Sequence, residues 1–348
     1  MMERPTLSDV IDAQMRLKPY VPRTPLHWSS LLSRWTGVCT YVKFENHTAV
    51  SSFKIRGALN SMMRLPEEVR LRGIVTASSG NHGQGVAYAG RLLHNHVIVF
   101  MPGHPNLDKM AVIQALGAEI RLCGSDFDVC KAEAARWAEE QGLFFLDDGA
   151  NPDLMAGAGT VALEIVADLP GVEAIFVPVG NGALAASTGI VAKSQPVPPR
   201  VIAVQSEGAP SMYLSWKERS LVETERAETF AEGLATRVPV PFATEILQDV
   251  VDEFILISDI ELRRSIRLMF EATHNVAEGA GAAALAGLMR DFARYRNRKV
   301  ALVLSGGNIT ADNLVQALVG TGPIPSMDLN DEETLCDPMA EPSMNSAE

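Results

Sequence analysis

The chain has 348 residues, 47% of them hydrophobic and 21% charged, and a net charge of −12. That length favours two lobes over one, and the composition is that of an ordinary globular enzyme. The acidic balance argues against nucleic acid as a partner, since phosphate backbones select basic surfaces, and no apolar run reaches membrane-spanning length.

No basic-plus-apolar leader opens the sequence, so a cytoplasmic protein is expected. Cys39, Cys123, Cys130 and Cys336 are scattered without metal-ligand spacing and read as reduced thiols. The first predicted element is a helix from about Thr6, capped by Thr6 or Ser8 and ended by Pro19 and Pro22. Leu26 to Thr36 reads as a second short helix and Cys39 to Phe44 as a strand. Ser51 or Ser52 then caps a helix running through Lys54, Leu59 and Met62.

From Gly73 the pattern becomes strand, turn, helix. Ile74–Ala77, Val97–Met101, Ile120–Leu122 and Phe144–Leu146 are the apolar runs of a first series, with helices between them. A second series follows: a helix over 160–167, strands at 174–179, 201–204, 254–257 and 300–304, and helices over 259–274 and 279–293. Apolar runs that do not alternate, separated by helices, indicate parallel strands covered on both faces. The expected fold is α/β with two doubly wound open sheets and the ligand site in the cleft between them. A large domain of 1–71 and 150–322 and a small mobile domain of 72–149 are predicted. The remainder, 323–348, is acidic and reads as a disordered tail.

Lys54 lies between Phe53 and Ile55. Apolar surroundings favour a neutral amine, and a neutral amine attacks carbonyls and holds a cofactor as a Schiff base. An arbitrary lysine is far more often a surface residue, but three turns downstream change that reading. Gly180-Asn181-Gly182-Ala183-Leu184 joins a strand to a helix, where free N–H groups receive an anion, most naturally a phosphate. Ser78 to Gly85 brings hydroxyls, Asn81 and His82 to another helix start, which suits a carboxylate. Its glycine spacing is not that of a dinucleotide fingerprint, and no acid stands ready for a ribose. The turn Ser305-Gly306-Gly307-Asn308 presents a neutral hydroxyl. A Schiff-base lysine, a phosphate cradle, a carboxylate loop and a hydroxyl for a ring nitrogen together fit pyridoxal 5'-phosphate.

The segments Ser52 to Ala58, Ser78 to Gly85 and Ser305 to Asn308 resemble the serine/threonine dehydratases and serine racemases. These are pyridoxal phosphate enzymes of fold type II, the tryptophan-synthase β-like fold. Ala156 to Thr160, Ala231 to Ala235 and Glu278 to Ala283 match in family order, and the similarity spans about residues 5 to 320. The resemblance implies that Lys54 carries the cofactor, Asn81 and Asn151 contact it, Gly180 to Leu184 wrap its phosphate, and Ser305 meets the pyridine nitrogen. Ser78, Ser79 and His82 would hold the substrate carboxylate. Asn181 and Ala183 interrupt the family's usual run of glycines. The metal-binding acids of serine racemases are replaced by Gln205, Ala209 and Ser211, so no metal is expected. A homo-oligomer, dimer or tetramer, is expected.

The implied reaction is β-elimination from a β-hydroxy amino acid to a 2-oxo acid and ammonia, with Lys54 as general base. Ser305 favours elimination, because a hydroxyl does not keep the ring nitrogen protonated as an aspartate does. Ser79 keeps racemisation open, since it stands where racemases have their second acid/base. The side-chain pocket is not legible: threonine, serine, 3-hydroxyaspartate, phenylserine and a hydroxyectoine-derived amino acid all remain. Arg56 and Arg237 are the cationic candidates for a second substrate carboxylate, although Arg56 belongs to the lysine motif and reads equally as structural. A fold-only binding protein and an NAD-dependent oxidoreductase are the rival classes, disfavoured by Lys54 and by the missing ribose acid.

Overall fold

The computed structural model describes residues 2–103, 106–124 and 126–320. The acidic tail predicted at 323–348 lies outside them. In chain order the elements are α1 (Leu7–Leu17), β1 (Leu26–Trp28), α2 (Ser30–Thr36), β2 (Cys39–Phe44), α3 (Lys54–Arg64), α4 (Glu67–Arg72), β3 (Ile74–Ala77), α5 (Asn81–Leu92), β4 (Val97–Pro102), α6 (Leu107–Ala115), β5 (Glu119–Cys123) and α7 (Phe127–Glu140). They continue with β6 (Phe144–Phe145), α8 (Pro152–Asp168), β7 (Ala174–Pro178), α9 (Ala183–Lys193), β8 (Arg200–Ser206), α10 (Ser211–Glu218), α11 (Pro241–Val250), β9 (Glu253–Ile257), α12 (Asp259–Thr273), α13 (Gly279–Arg290), β10 (Lys299–Leu304) and α14 (Ala311–Val319).

The strands form two sheets, one in the order β1-β2-β10-β7-β8-β9 and one in the order β5-β4-β3-β6. All pairings are parallel except β1 with β2. Their apolar runs are buried because helices cover both faces. Val201, Ile202, Ala203 and Val204 are all fully buried, with odd and even positions facing different hydrophobic clusters. Parallel strands deliver their following loops to one edge. The loops after β2, β3, β6, β7 and β10 therefore converge.

Several local expectations need correction. Leu26–Trp28 is not helical: it adds an antiparallel edge strand to β2, and the helix begins only where Ser29 accepts a bond from Leu32 N–H. Neither Ser51 nor Ser52 caps α3. Its N-cap is Phe53, with no side-chain bond, and Ser51 takes a left-handed φ of 50°. The helix start is held instead by the neighbouring chain: Phe53 N–H donates to Ser305 O, and Gly307 N–H to Ser51 O. Helix α8 starts earlier than its apolar run, at Pro152, because Asn151 caps it. Cys123 and Cys130, expected as reduced thiols, are joined by a disulfide. The turn after β5 folds α7 back until their Cα atoms stand 5.4 Å apart, within bridging range. Spacing alone does not reveal that fold-back.

Beneath α3 sits a buried ion cluster. Arg56 donates to Glu45 at 2.7 Å and to Glu164 at 2.8 Å, and Lys43 donates to Glu164 at 2.5 Å. Burial pulls the Lys43 ammonium down, against the charges of Glu45 and Glu164. Burial also pushes the Glu164 carboxyl up, but the Arg56 and Lys43 contacts outweigh it and hold Glu164 below the usual carboxylate range. Arg56 is therefore committed to the core and is not a substrate ligand, contrary to its candidacy from sequence.

Glu164→Gln leaves two buried cations with one carboxylate and should cost about 3–5 kcal/mol at pH 7. A lowered carboxylate stabilises the fold above its unfolded value and ceases to as pH falls through its folded value. The deficit should therefore shrink below about pH 4.5, the ordinary glutamate value. Denaturant midpoints of both proteins from pH 7 to pH 3 measure this, and an unchanged midpoint at pH 7 contradicts it.

Candidate active site

The converging loops enclose a cavity of about 250 Å³. Lys54, the first residue of α3, opens onto it with its side chain 17% exposed. Its Nζ donates to both carboxylate oxygens of Asp148, at 2.6 and 2.5 Å, and lies 5.0 Å from the Phe53 ring centroid. Burial pushes the Asp148 carboxyl up, but the Lys54 charge overrides it and holds the group at about 2. His82 Nδ1 stands 3.5 Å from Asp148 without a hydrogen bond, and Nε2 is 3.4 Å from Leu146 O. Burial lowers the His82 value, which favours neutral imidazole.

The depth of Lys54 is set from the neighbouring helix. A Cβ on Gly85 of α5 would meet the Lys54 carbonyl carbon at 3.0 Å and its oxygen at 3.1 Å. Glycine is what lets α5 pack this closely. At its start, α5 has Gly80 as N-cap with no side-chain cap, and Ser78, Ser79 and Asn81 line the cavity there. Those free N–H groups and hydroxyls suit a carboxylate.

The amide of Asn81 has a defined orientation. Its Nδ2 donates to Glu278 Oε1 at 2.5 Å, and its Oδ1 accepts from Asn308 Nδ2 at 2.8 Å. Asn308 also donates to Val50 O. Asn81 therefore turns its donor group, not its carbonyl, toward the Glu278 side of the cleft. Burial pushes the Glu278 carboxyl up to about 7.

Opposite stands the glycine turn. Gly182 has φ +90° and caps α9 without a side-chain bond, so the first N–H groups of α9 are free. A Cβ at Gly182 would come within 2.9 Å of Ala243 and Met212. Asn181 and Ala183 do not spoil the cradle: Asn181 Oδ1 accepts from Thr236, and the backbone supplies the donors. Ser305 is 3% exposed and lines the same cavity. A lysine amine, an anion cradle at a helix start and a neutral hydroxyl thus share one space, and these residues fit pyridoxal phosphate.

Of the residues named from sequence, Lys54, Ser78, Ser79, Asn81, His82, Gly180 to Leu184 and Ser305 meet around this cavity. Asn151 does not. Its side chain accepts from Leu154 N–H as the α8 cap, and Asp148 occupies that wall. Arg237 pairs with Asp128 at 2.7 Å and is not part of the lining. Sequence reasoning missed Asp148, Glu278, and the pair Lys109–Glu232, whose atoms meet at 2.6 Å across the cleft. Asp148 follows β6 at the edge where the other loops gather, which was the available signal.

Comparison with known proteins agrees with this geometry. A family model described as pyridoxal-phosphate dependent enzyme matches residues 17–306. An L-threonine ammonia-lyase of Thermotoga maritima is 39% identical over 92% of this chain and 80% of its own. The catabolic L-threonine dehydratase of Escherichia coli is 34% identical over 89% and 95%. Among solved structures, the processed threonine deaminase isoform 2 of Solanum lycopersicum superposes with a TM-score of 0.85 at 30% identity, covering 92% of each chain. Maize serine racemase gives 0.84 at 26% identity, covering 91% and 97%. Family match, relatives and cavity chemistry agree: the chain belongs to the pyridoxal-phosphate dependent enzymes.

Proposed function

We propose that the enzyme is an ammonia-lyase that removes water and then ammonia from a β-hydroxy amino acid, threonine or a near analogue, to give a 2-oxo acid. The observation that carries this reading is Lys54 facing the same cavity as the Ser305 hydroxyl, in a chain 39% identical to an L-threonine ammonia-lyase. Bound pyridoxal phosphate would supply the electron sink for charge developing at the α-carbon.

The chain's own groups would do the rest. Free N–H groups of α9 receive the cofactor phosphate, and Asn81 and Ser305 hold its ring. Ser78, Ser79, the start of α5 and neutral His82 receive the substrate carboxylate. Lys54 Nζ takes the α-proton as general base. The β-hydroxyl leaves as water with a proton returned to it. The released enamine hydrolyses to the 2-oxo acid and ammonia. Ser305, which cannot fix a proton on the ring nitrogen as a carboxylate does, favours loss of the β-group over return of the proton. The small domain, about residues 72–149, would close over the substrate. The ion pairs Lys109–Glu232 and Arg237–Asp128 already span that cleft. Among the described residues no helix is long and apolar enough to cross a membrane, and cytoplasmic, homo-oligomeric work is the natural setting for such an enzyme.

Lys54→Ala should abolish the cofactor absorbance near the visible edge and lower 2-oxo acid formation from threonine by about 10³-fold or more. An absorbance spectrum with a keto-acid assay checks both, and retention of the absorbance sinks the assignment of Lys54.

One observation favours a second activity. Ser79 lines the cavity, and by its likeness to the serine racemases its hydroxyl would be a second proton donor beside Lys54. Ser79→Ala should leave elimination within about tenfold while removing any D-serine formed from L-serine. Chiral chromatography beside the keto-acid assay separates the two, and D-serine formation unaffected by the change excludes Ser79 from that role.

A further inference from the structure

Asp148 is a largely buried carboxylate, its side chain 15% exposed, and the reaction described above leaves it without a task. Lys54 Nζ donates to both of its oxygens, at 2.6 and 2.5 Å. Lys131, the other ammonium whose charge acts on Asp148, is committed to Asp147 at 2.9 Å. His82 Nδ1 stands 3.5 Å away without a hydrogen bond, and burial favours its neutral ring. Glu278, the other carboxyl coupled to Lys54, accepts from Asn81 instead, and burial pushes it up to about 7. Lys54 and Asp148 are therefore each other's partner.

An ammonium carries three N–H groups. With two on Asp148, one is left for the cavity that Lys54 lines. A nitrogen linked to the cofactor keeps one N–H at most, so the full pairing belongs to a free Lys54. On the ammonia-lyase reading Lys54 is free while the amino acid is bound, which is when Nζ takes the α-proton.

We propose that Asp148 is the positioning residue of the freed Lys54: it holds Nζ, once protonated, as an ammonium whose one remaining N–H serves the departing β-hydroxyl. This rests on the ammonia-lyase reading and names the source of the proton that the leaving group needs. The α-C–H bond breaks, its proton going to the Nζ lone pair and its electron pair staying on the α-carbon. The β-C–O bond then breaks with its electron pair on oxygen. That oxygen takes a proton from Nζ and leaves as water, while the α-carbon pair closes the double bond to the β-carbon. Nζ is neutral again, and Asp148 has neither gained nor lost a proton. Its charge matches the one that Nζ acquires. In return, the Lys54 charge overrides burial and holds the Asp148 carboxyl at about 2.

L-Threonine and 2-amino-3-chlorobutyrate of the same configuration differ only in the leaving group and give the same 2-oxo acid. Chloride leaves without a proton and hydroxide does not. In cofactor-loaded Asp148→Asn, kcat for threonine should fall about tenfold further than kcat for the chloro compound, with KM for threonine little changed. Equal losses on the two substrates overturn the proposal, as does a loss confined to KM. A second readout needs no turnover. A carboxylate beside a nitrogen favours its protonated form. The visible cofactor band, which follows the proton on the Lys54 nitrogen, should therefore fade about one pH unit or more lower in Asp148→Asn, the worth of a hydrogen bond to a charged group. An unmoved transition overturns the proposal. Asp148→Ala serves for both measurements if the asparagine variant does not fold. Ammonia release by the unmodified enzyme is scored first. No ammonia from threonine or another β-hydroxy amino acid defeats the ammonia-lyase reading, whereas turnover with equal losses defeats this inference alone.

Discussion

The active site rests on four charges that never touch it. Arg56, Glu45, Glu164 and Lys43 form a buried, charge-balanced cluster that ties α3 to β2 and α8. Two residues before Arg56 the chain turns outward and presents Lys54. Buried ion clusters add little net stability compared with apolar packing, and their removal in part is costly. The use of this one is positional. Guanidinium–carboxylate geometry is directional, so α3 has one seating against α8. The lysine nitrogen inherits that seating.

The rest of the site follows from parallel-sheet topology. Five loops meet at this cleft and between them bring an amine, helix-start amides, hydroxyls, an imidazole and a carboxylate. The backbone stitch between Ser51–Phe53 and Ser305–Gly307 couples the lysine turn to the hydroxyl turn directly. The chain Glu278–Asn81–Asn308 couples both to the carboxylate loop. Three turns far apart in sequence thus share hydrogen bonds, so none is adjusted without the others.

Groups that act within their own segment were legible in the sequence. Lys54, the Ser78–His82 turn, Gly180–Leu184 and Ser305 each sit at a strand end or helix start that apolar periodicity marks. What sequence hid depends on tertiary neighbours. Asp148 becomes notable only because Lys54 reaches it, and Glu278 only because burial raises it. Arg56 is open between ligand and structural part from sequence for the same reason: the partners that decide for the second, Glu45 and Glu164, lie 11 and 108 residues away. The family resemblance puts Asn151 on the cofactor, but its side chain oxygen accepts from Leu154 N–H as the α8 cap. Leu26–Trp28 has an ambiguous short apolar pattern, and pairing with β2 decides it.

Gly85 carries a consequence of a different kind. With the α5 backbone against Lys54 at van der Waals limits, the reach of the reactive nitrogen into the cavity is gauged by a residue that bears no functional group. A single methyl there would leave the fold, the charges and every ligand-facing side chain formally intact. It would still displace the lysine turn by tenths of an ångström, and displacements approaching an ångström cost orders of magnitude in rate. Catalytic alignment in this molecule is thus a matter of calibrated absence, written in a hydrogen atom on the next helix.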